Sequence, residues 1–366
     1  MKNEKLRIMA FFKKLFGKSD KGNSAKGFHT LTVSKVSKIG GETVKIEFAI
    51  SEDLKNEFKF TPGQYINFNI DVNGKNYRRS YSICSGPNEN LAVAVKKVKE
   101  GVISTWFNSE VQEGTEILAS KPEGNFVLPA NAKKIVAIAA GSGITPIMSI
   151  AKSIEDVEGS VELFYGNRTA NGILFSEEIE ALKKTNCTHF LSREEKEGCK
   201  NGRIEKESFT EIIKADLEIL KSDVFFICGP EEMIVEINDT LKLFGVSEDK
   251  IKFELFTTPV LMKKDGHTKD IDFSGTSSVT MMVDSEATTF ELDAKKNILE
   301  KAIDVGVDAP YSCKGGVCSS CKGKVLEGDV YMKMNYTLTD SEVEEGYILC
   351  CQAFPRSEKV VISFDE

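Results

Sequence analysis

Nine cysteines occur in this 366-residue sequence, and four of them have a spacing with chemical content. Pro310-Tyr-Ser-Cys313-Lys-Gly-Gly-Val-Cys318-Ser-Ser-Cys321 sets three thiols as C-x4-C-x2-C, and Leu349-Cys350-Cys351-Gln-Ala-Phe-Pro355 supplies a fourth. A two-iron cluster takes four thiolates, two per iron, and this is a recognised spacing for a [2Fe–2S] centre. Gly315 and Gly316 are expected to turn the loop's amides toward the sulfides, and the small Ser319 and Ser320 to keep its wall thin. Neighbouring residues on a strand face opposite ways, so Cys350 and Cys351 cannot both enter the site. With Cys351 as the ligand, 29 residues separate it from Cys321. Structural zinc more often takes two C-x2-C pairs. Only Cys318/Cys321 forms such a pair here, so the cluster is the preferred reading.

Two further sets point to redox chemistry. In Arg78-Arg79-Ser80-Tyr81-Ser82-Ile83, alternation along a strand puts Arg79, Tyr81 and Ile83 on one face. A guanidinium for a pyrophosphate beside an aromatic ring for an isoalloxazine suits a flavin. Lys99-Glu-Gly101-Val102-Ile103-Ser104-Thr105 reads as a helix start whose free amides accept a phosphate. Either set alone is equally an ordinary core tyrosine or a capped helix; together they indicate FAD. The nucleotide set is Gly141-Ser-Gly143-Ile-Thr145-Pro146, Arg168, Ser192-Arg193 and Cys228-Gly229-Pro230. The glycines are a fragment of the dinucleotide fingerprint. An Arg beside a Ser suits the 2′-phosphate of NADPH rather than the diol of NADH. The competing reading of Arg193 is an ion pair with Glu194 or Glu195. No histidine stands in a catalytic or metal-binding pattern, and His189 reads as a strand-edge residue.

These residues require three kinds of scaffold. Short alternating strands without helices from His29 to about Leu128 predict an antiparallel β-barrel. From Lys133 to about Phe256, apolar runs such as Lys134-Ile-Val-Ala-Ile-Ala-Ala140 alternate with helical stretches, which predicts a doubly wound α/β domain with its ligand at the strand C-terminal ends. Strand, strand, helix, cysteine loop and strand then follow, with a short helix over 297–305. The expected division is a basic extension 1–27, a flavin barrel 28–130, a nucleotide domain 131–258, a linker 259–278 and a cluster domain 279–366. The chain is long enough for several cores.

The order of motifs resembles the ferredoxin–NADP reductase-type flavoproteins fused to a C-terminal plant-type ferredoxin, over about residues 28–366. Arg79-Ser-Tyr81-Ser82, Gly101-Val-Ile-Ser104, Gly141-Ser-Gly143-Ile-Thr145-Pro146, Tyr165-Gly166-Asn167-Arg168 and Cys228-Gly229-Pro230 carry it with the terminal cysteine pattern. The resemblance is nearest to the reductase subunits of phenylacetyl-CoA epoxidases. It implies a multidomain fold with a β-grasp cluster domain. It selects Cys351 through the ending Cys-Gln-Ala-Phe-Pro. It implies that Arg79, Tyr81 and Ser82 hold FAD, with Gly101, Val102 and Ser104 at its pyrophosphate. Thr145, Pro146 and Cys228–Pro230 would position the nicotinamide, Ser192 and Arg193 the 2′-phosphate, and Phe256 would lie against the flavin. Hydride would pass from NADPH to FAD, then single electrons through the cluster to an oxygenase, here a di-iron enzyme acting on an acyl-CoA thioester. Reductases of Rieske oxygenases, cytochromes P450 or desaturases are alternatives of the same class; a zinc-holding scaffold with an empty flavin site is one of a different class.

The net charge is −8, and residues 270–366 hold 18 acids against 9 bases, net −9, leaving +1 on the first 269. That asymmetry suggests a basic protein partner steered to the cluster domain; no nucleic-acid partner is expected. Cysteines outside the cluster read as free thiols of a reducing cytoplasm. Residues 1–26 carry eight Lys or Arg, and Leu6, Met9, Phe12 and Phe16 share a helical face. A terminal helix on the body is expected in preference to a membrane-lying one.

Overall fold

The computed structural model describes residues 27–256, 273–311 and 313–366. The basic extension and most of the expected linker lie outside these residues.

The first sheet is antiparallel. Its strands are β1 (Phe28–Lys38), β2 (Thr43–Ala49), β3 (Tyr65–Val72), β4 (Lys75–Ser82), β5 (Ala92–Lys96) and β6 (Glu116–Ser120), in the order β4-β3-β6-β1-β2-β5. A bridge between Ile83 and Val93 brings the two edges together, so the sheet curls into the expected barrel. Leu31, Ile46, Phe48, Ile66 and Phe68 fill it. The α-helix over this region, Val102–Ser109, drops Phe107 into the same core.

The second sheet is parallel: β7 (Lys134–Ala140), β8 (Ser160–Asn167), β9 (Thr185–Leu191), β10 (Lys200–Asn201), β11 (Val224–Cys228) and β12 (Ile251–Glu254), ordered β10-β9-β8-β7-β11-β12. The interiors of β7 and β11 are continuous apolar runs because both faces are covered. Ile135, Ala137 and Ala139 enter one core while Val136 and Ile138 enter the other, and β11 divides the same way. The helices Ile144–Ile154 and Glu231–Leu243 follow β7 and β11.

The third unit holds β13 (Thr276–Val283), β14 (Glu286–Asp293), β15 (Lys322–Glu327), β16 (Val330–Met332), β17 (Tyr347–Leu349), β18 (Ala353–Pro355) and β19 (Lys359–Ser363). Five form the sheet β14-β13-β19-β15-β17, with β13 and β19 parallel. The helix Ile298–Asp304 packs on it, one residue inside the expected 297–305, because the Asn297 side chain caps its first turn. The expected linker end is corrected: residues 276–278 belong to β13, where Ser277 is fully buried opposite Leu292. Serine and threonine there have the composition of a linker, but strand pairing overrides that signal.

The three units share cores. Cys84, Ala92 and Phe126 of the barrel region join the first core of the parallel sheet. Cys313, Val317 and Cys318 join the second, beside Ile251 and Leu255. No helix among the described residues is long and apolar enough to cross a membrane.

Candidate functional site

The cysteine loop is shaped by its backbone. Gly316 adopts φ +76°, and a Cβ there would press within 3.0 Å of the Met334 carbonyl. The second left-handed residue is Lys314 (φ +51°) rather than Gly315. Gly315 instead donates its amide to Cys313 Sγ at 3.3 Å. The Gln352 side chain ties down Lys314 by donating to its carbonyl at 3.0 Å, and Asn297 donates to the Cys351 carbonyl.

Cys313, Cys318, Cys321 and Cys351 are all buried and converge from the two segments. Cys318 Sγ lies 3.1 Å from Cys313 Sγ. Hydrogen bonds from the Cys318 and Cys351 thiols push Cys313 well down toward the thiolate, and both donors are pushed up. Four buried thiolates can coexist only around cations, so the donor set fits a two-iron cluster. Cys350 faces the other way, into the core against Gly323 and Ile362, and burial raises its thiol.

The Arg79 and Tyr81 pair stands on β4. Tyr81 packs edge-on to Phe107 at 5.3 Å, which joins that strand to the helix beginning at Gly101. Arg79 donates to the Arg78 carbonyl at 2.7 Å and lies over the Tyr77 ring. Val102 is the first helical residue and is exposed, so the amide end of the helix is open. Ser104 serves the turn itself, accepting from the Val98 amide at 3.0 Å and donating to the Gly101 carbonyl. An open helix N-terminus suits a pyrophosphate, and an arginine and a tyrosine on one strand face suit a flavin phosphate and ring.

At the ends of the parallel strands, Gly143 and Cys228 meet. A Cβ on Gly143 would lie 2.0 Å from the Cys228 carbonyl oxygen. Gly141 takes φ +55°, and Thr145 and Pro146 are buried in the first turn that follows. Gly229 closes on Ala140, and Pro230 opens the helix after β11. At the next strand ends Ser192 donates its amide to Asn167 and Arg193 to Arg168, setting both exposed arginines at one edge. The expected competitors of Arg193 are engaged elsewhere: Glu194 accepts from the Ala170 amide at 2.8 Å and Glu195 from Asn201 at 3.2 Å. His189 lies on β9 with Cys187 at 3.6 Å, one strand in from the short edge strand β10. Phe256, two residues past the end of β12, is 42% exposed.

Three groups had no motif to mark them. Glu254, the last residue of β12, accepts from Ser82 Oγ at 3.3 Å. Burial pushes its carboxyl up to about 8, although Ser82 opposes the shift. Ser319 and Ser320, expected only as thin walls, are bonded to the barrel: Tyr65 OH lies 2.7 Å from Ser319 Oγ, and Ser80 Oγ lies 2.7 Å from Ser320 Oγ. A cleft of about 250 Å³ lined by Tyr65, Phe126, Phe253, Glu254, Cys318 and Tyr336 joins all three units. A serine beside a cysteine carries no sequence signal for a partner some 250 residues away.

Comparison with known proteins agrees with this arrangement. Three family models match: an oxidoreductase FAD-binding domain over residues 30–128, an oxidoreductase NAD-binding domain over 137–239, and a 2Fe-2S iron-sulfur cluster binding domain over 281–356. The chain is 35% identical over 352 residues to a 1,2-phenylacetyl-CoA epoxidase subunit from Escherichia coli, covering 92% of this chain and 98% of that one. It is 30% identical over 348 residues to the ferredoxin reductase component of 3-ketosteroid-9-alpha-monooxygenase from Rhodococcus rhodochrous, covering 91% and 96%. Among solved structures, phthalate dioxygenase reductase aligns over 92% of this chain and 98% of its own, with a TM-score of 0.58 and 23% identity. An intact type IV self-sufficient cytochrome P450 monooxygenase aligns over 96% of this chain and 44% of its own, with a TM-score of 0.68 and 20% identity.

Proposed function

The chain belongs to the ferredoxin–NADP reductase-type flavoproteins that carry a C-terminal [2Fe–2S] ferredoxin, and on that premise we propose that it takes electrons from NADPH and delivers them singly to a di-iron oxygenase acting on an acyl-CoA thioester. It is an NAD(P)H oxidoreductase with FAD and [2Fe–2S] domains, and so the reductase component of an oxygenase system. The choice of acceptor rests on the near full-length similarity to a component of a phenylacetyl-CoA epoxidase.

One observation carries the route: β4 touches both neighbours. Its Ser82 meets Glu254 of the nucleotide unit, and its Ser80 meets Ser320 beside Cys321. Bound flavin supplies the conversion of a two-electron hydride into single electrons, which neither nicotinamide nor cluster can do alone. The protein's work is placement. Arg79 and the amides at Gly101, Val102 and Ser104 hold the pyrophosphate, and Tyr81 and Ser82 border the ring. Gly141 and Gly143 admit the nucleotide backbone, while Thr145, Pro146 and the Cys228-Gly229-Pro230 turn wall the nicotinamide. Arg168, Ser192 and Arg193 take the ribose phosphate. Phe256 borders the flavin from the nucleotide side. Cys228 acts as a wall and not as a nucleophile, since burial raises its thiol. Neutral Glu254 keeps charge away from the ring and gives Ser82 a fixed partner. Cys313, Cys318, Cys321 and Cys351 hold the cluster.

Anaerobic NADPH added to the iron-loaded flavoprotein should bleach flavin and cluster absorption together. A colourless, zinc-containing preparation would sink the proposal in favour of a scaffold. Mixing with the oxygenase components of an acyl-CoA epoxidase should couple NADPH oxidation to product; coupling only to a 3-ketosteroid oxygenase would reassign the acceptor.

A further inference from the structure

Arg78 stands next to the flavin motif but faces away from it. On β4 the odd residues Arg79 and Tyr81 take one face, and Arg78, Ser80 and Ser82 take the other. Arg78 is 8% exposed, and its two carboxylate partners both come from the ferredoxin unit. Nη2 donates to Asp284 Oδ2 at 2.6 Å, and Nε lies 3.7 Å from Asp308 Oδ2. The guanidinium rests 5.1 Å over the Phe28 ring. Among the described residues no carboxylate of the barrel pairs with it.

Asp284 is held ready for this contact. It and Ser285 form the two-residue turn between β13 and β14, with φ of +52° and +69°. Both turn amides donate to the Asp365 carboxylate, at 3.0 and 2.8 Å. The turn is thus fixed by the chain's own C-terminal region, and the Asp284 side chain is left to face the barrel.

We infer that Arg78 is the positioning residue that docks the ferredoxin unit on β4 in the register that brings the cysteine loop against the flavin-bearing strand. A buried guanidinium is tolerated only with its counter-charges, so the ion pair specifies one docked arrangement instead of many. Two residues along the same face, Ser80 meets Ser320, and on the neighbouring strand Tyr65 meets Ser319. These hydroxyl contacts are short but neutral, and alone they fix register weakly. The electron step is sensitive to this register because tunnelling falls steeply with separation. With flavin and cluster bound, the two electrons of an NADPH hydride would cross this contact singly on their way to the oxygenase, and the accompanying proton would go to solvent. Arg78 takes no part in the hydride step.

The inference rests on the flavin-to-cluster route proposed above, and three variants of the holoprotein test it with two readouts. In anaerobic stopped-flow with NADPH, Arg78→Met should leave flavin reduction unchanged and slow cluster bleaching on the order of tenfold. Asp284→Asn should act in the same direction but less, because Asp308 remains. Arg78→Lys should recover most of the rate. Solution X-ray scattering should show a larger radius of gyration for Arg78→Met than for wild type, whatever the electron route. Wild-type scattering and bleaching rates in both Arg78→Met and Asp284→Asn would overturn the inference. So would flavin loss in Arg78→Met with Asp284→Asn silent, which would make Arg78 part of the flavin site. Expansion of Arg78→Met beside a wild-type protein whose cluster never bleaches would support the docking and sink the route instead.

Discussion

Glu254 is a carboxyl group enclosed by three units, with Ser82 as its donor and a pKa raised to about 8 by burial. Its folded value lies above the ordinary 4.5, so its contribution to stability is fully present below about pH 4.5 and is lost as pH rises through about 8. Thermal unfolding of the holoprotein from pH 5 to pH 8.5 should therefore reveal a loss on the order of a few kcal/mol that Glu254→Gln removes. An identical slope in both proteins would show the carboxyl to be ionised already. At the opposite end of the nucleotide unit, Arg193 is exposed and among the described residues has no ion pair. A charge-assisted contact to the 2′-phosphate implies that Arg193→Ala weakens NADPH binding by roughly ten- to a hundredfold and NADH binding little. Equal losses for both nucleotides in steady-state KM measurements would refute the assignment.

Among the elements, the junction of β7 with β11 is the tightest point near the site. The Gly143 position lies against the Cys228 backbone, so a methyl group cannot be absorbed by a side-chain rotation. Gly143→Ala should cost about 1–3 kcal/mol and weaken NADPH binding, because the two strand ends that frame the nucleotide must part. Chemical denaturation and a nucleotide titration check this; unchanged values would mean the loop relaxes freely. Much of this level was legible in the chain. The run Lys134–Ala140 is apolar at every interior position because two cores cover it, and the alternation of β4 follows from its pleat. Element ends were less legible. The start of β13 is hidden in a Ser- and Thr-rich stretch, since pairing with β14 and not composition sets it there.

Across the whole molecule, the barrel and nucleotide unit are joined by a half-hidden charge network. Lys152 Nζ lies 2.6 Å from Glu178 and 2.9 Å from Glu89, and Lys45 reaches Glu178 at 3.3 Å. Lys152 keeps its charge although burial opposes it, because both carboxylates hold it. Lys152→Met should destabilise the protein by about 2 kcal/mol, less than for a fully buried pair, because Glu178 is 31% exposed and retains Lys45. Equilibrium urea unfolding measures this, and a neutral result would mean the pair is offset by its desolvation. With a shared apolar core behind the network, the two units should unfold as one.

The chain by itself determined what is local. Cysteine spacing, a strand's two-residue period, an apolar run and a glycine at a turn depend on neighbours within a few residues, so the three scaffolds and their cofactor chemistry were readable. Tertiary structure alone decided which surfaces face each other. Ser82 with Glu254, Arg78 with Asp284, Ser80 with Ser320 and Tyr65 with Ser319 span 172, 206, 240 and 254 residues. Each of those side chains is ordinary in its own segment. Burial and docking chose their partners, and neither leaves a trace in sequence spacing.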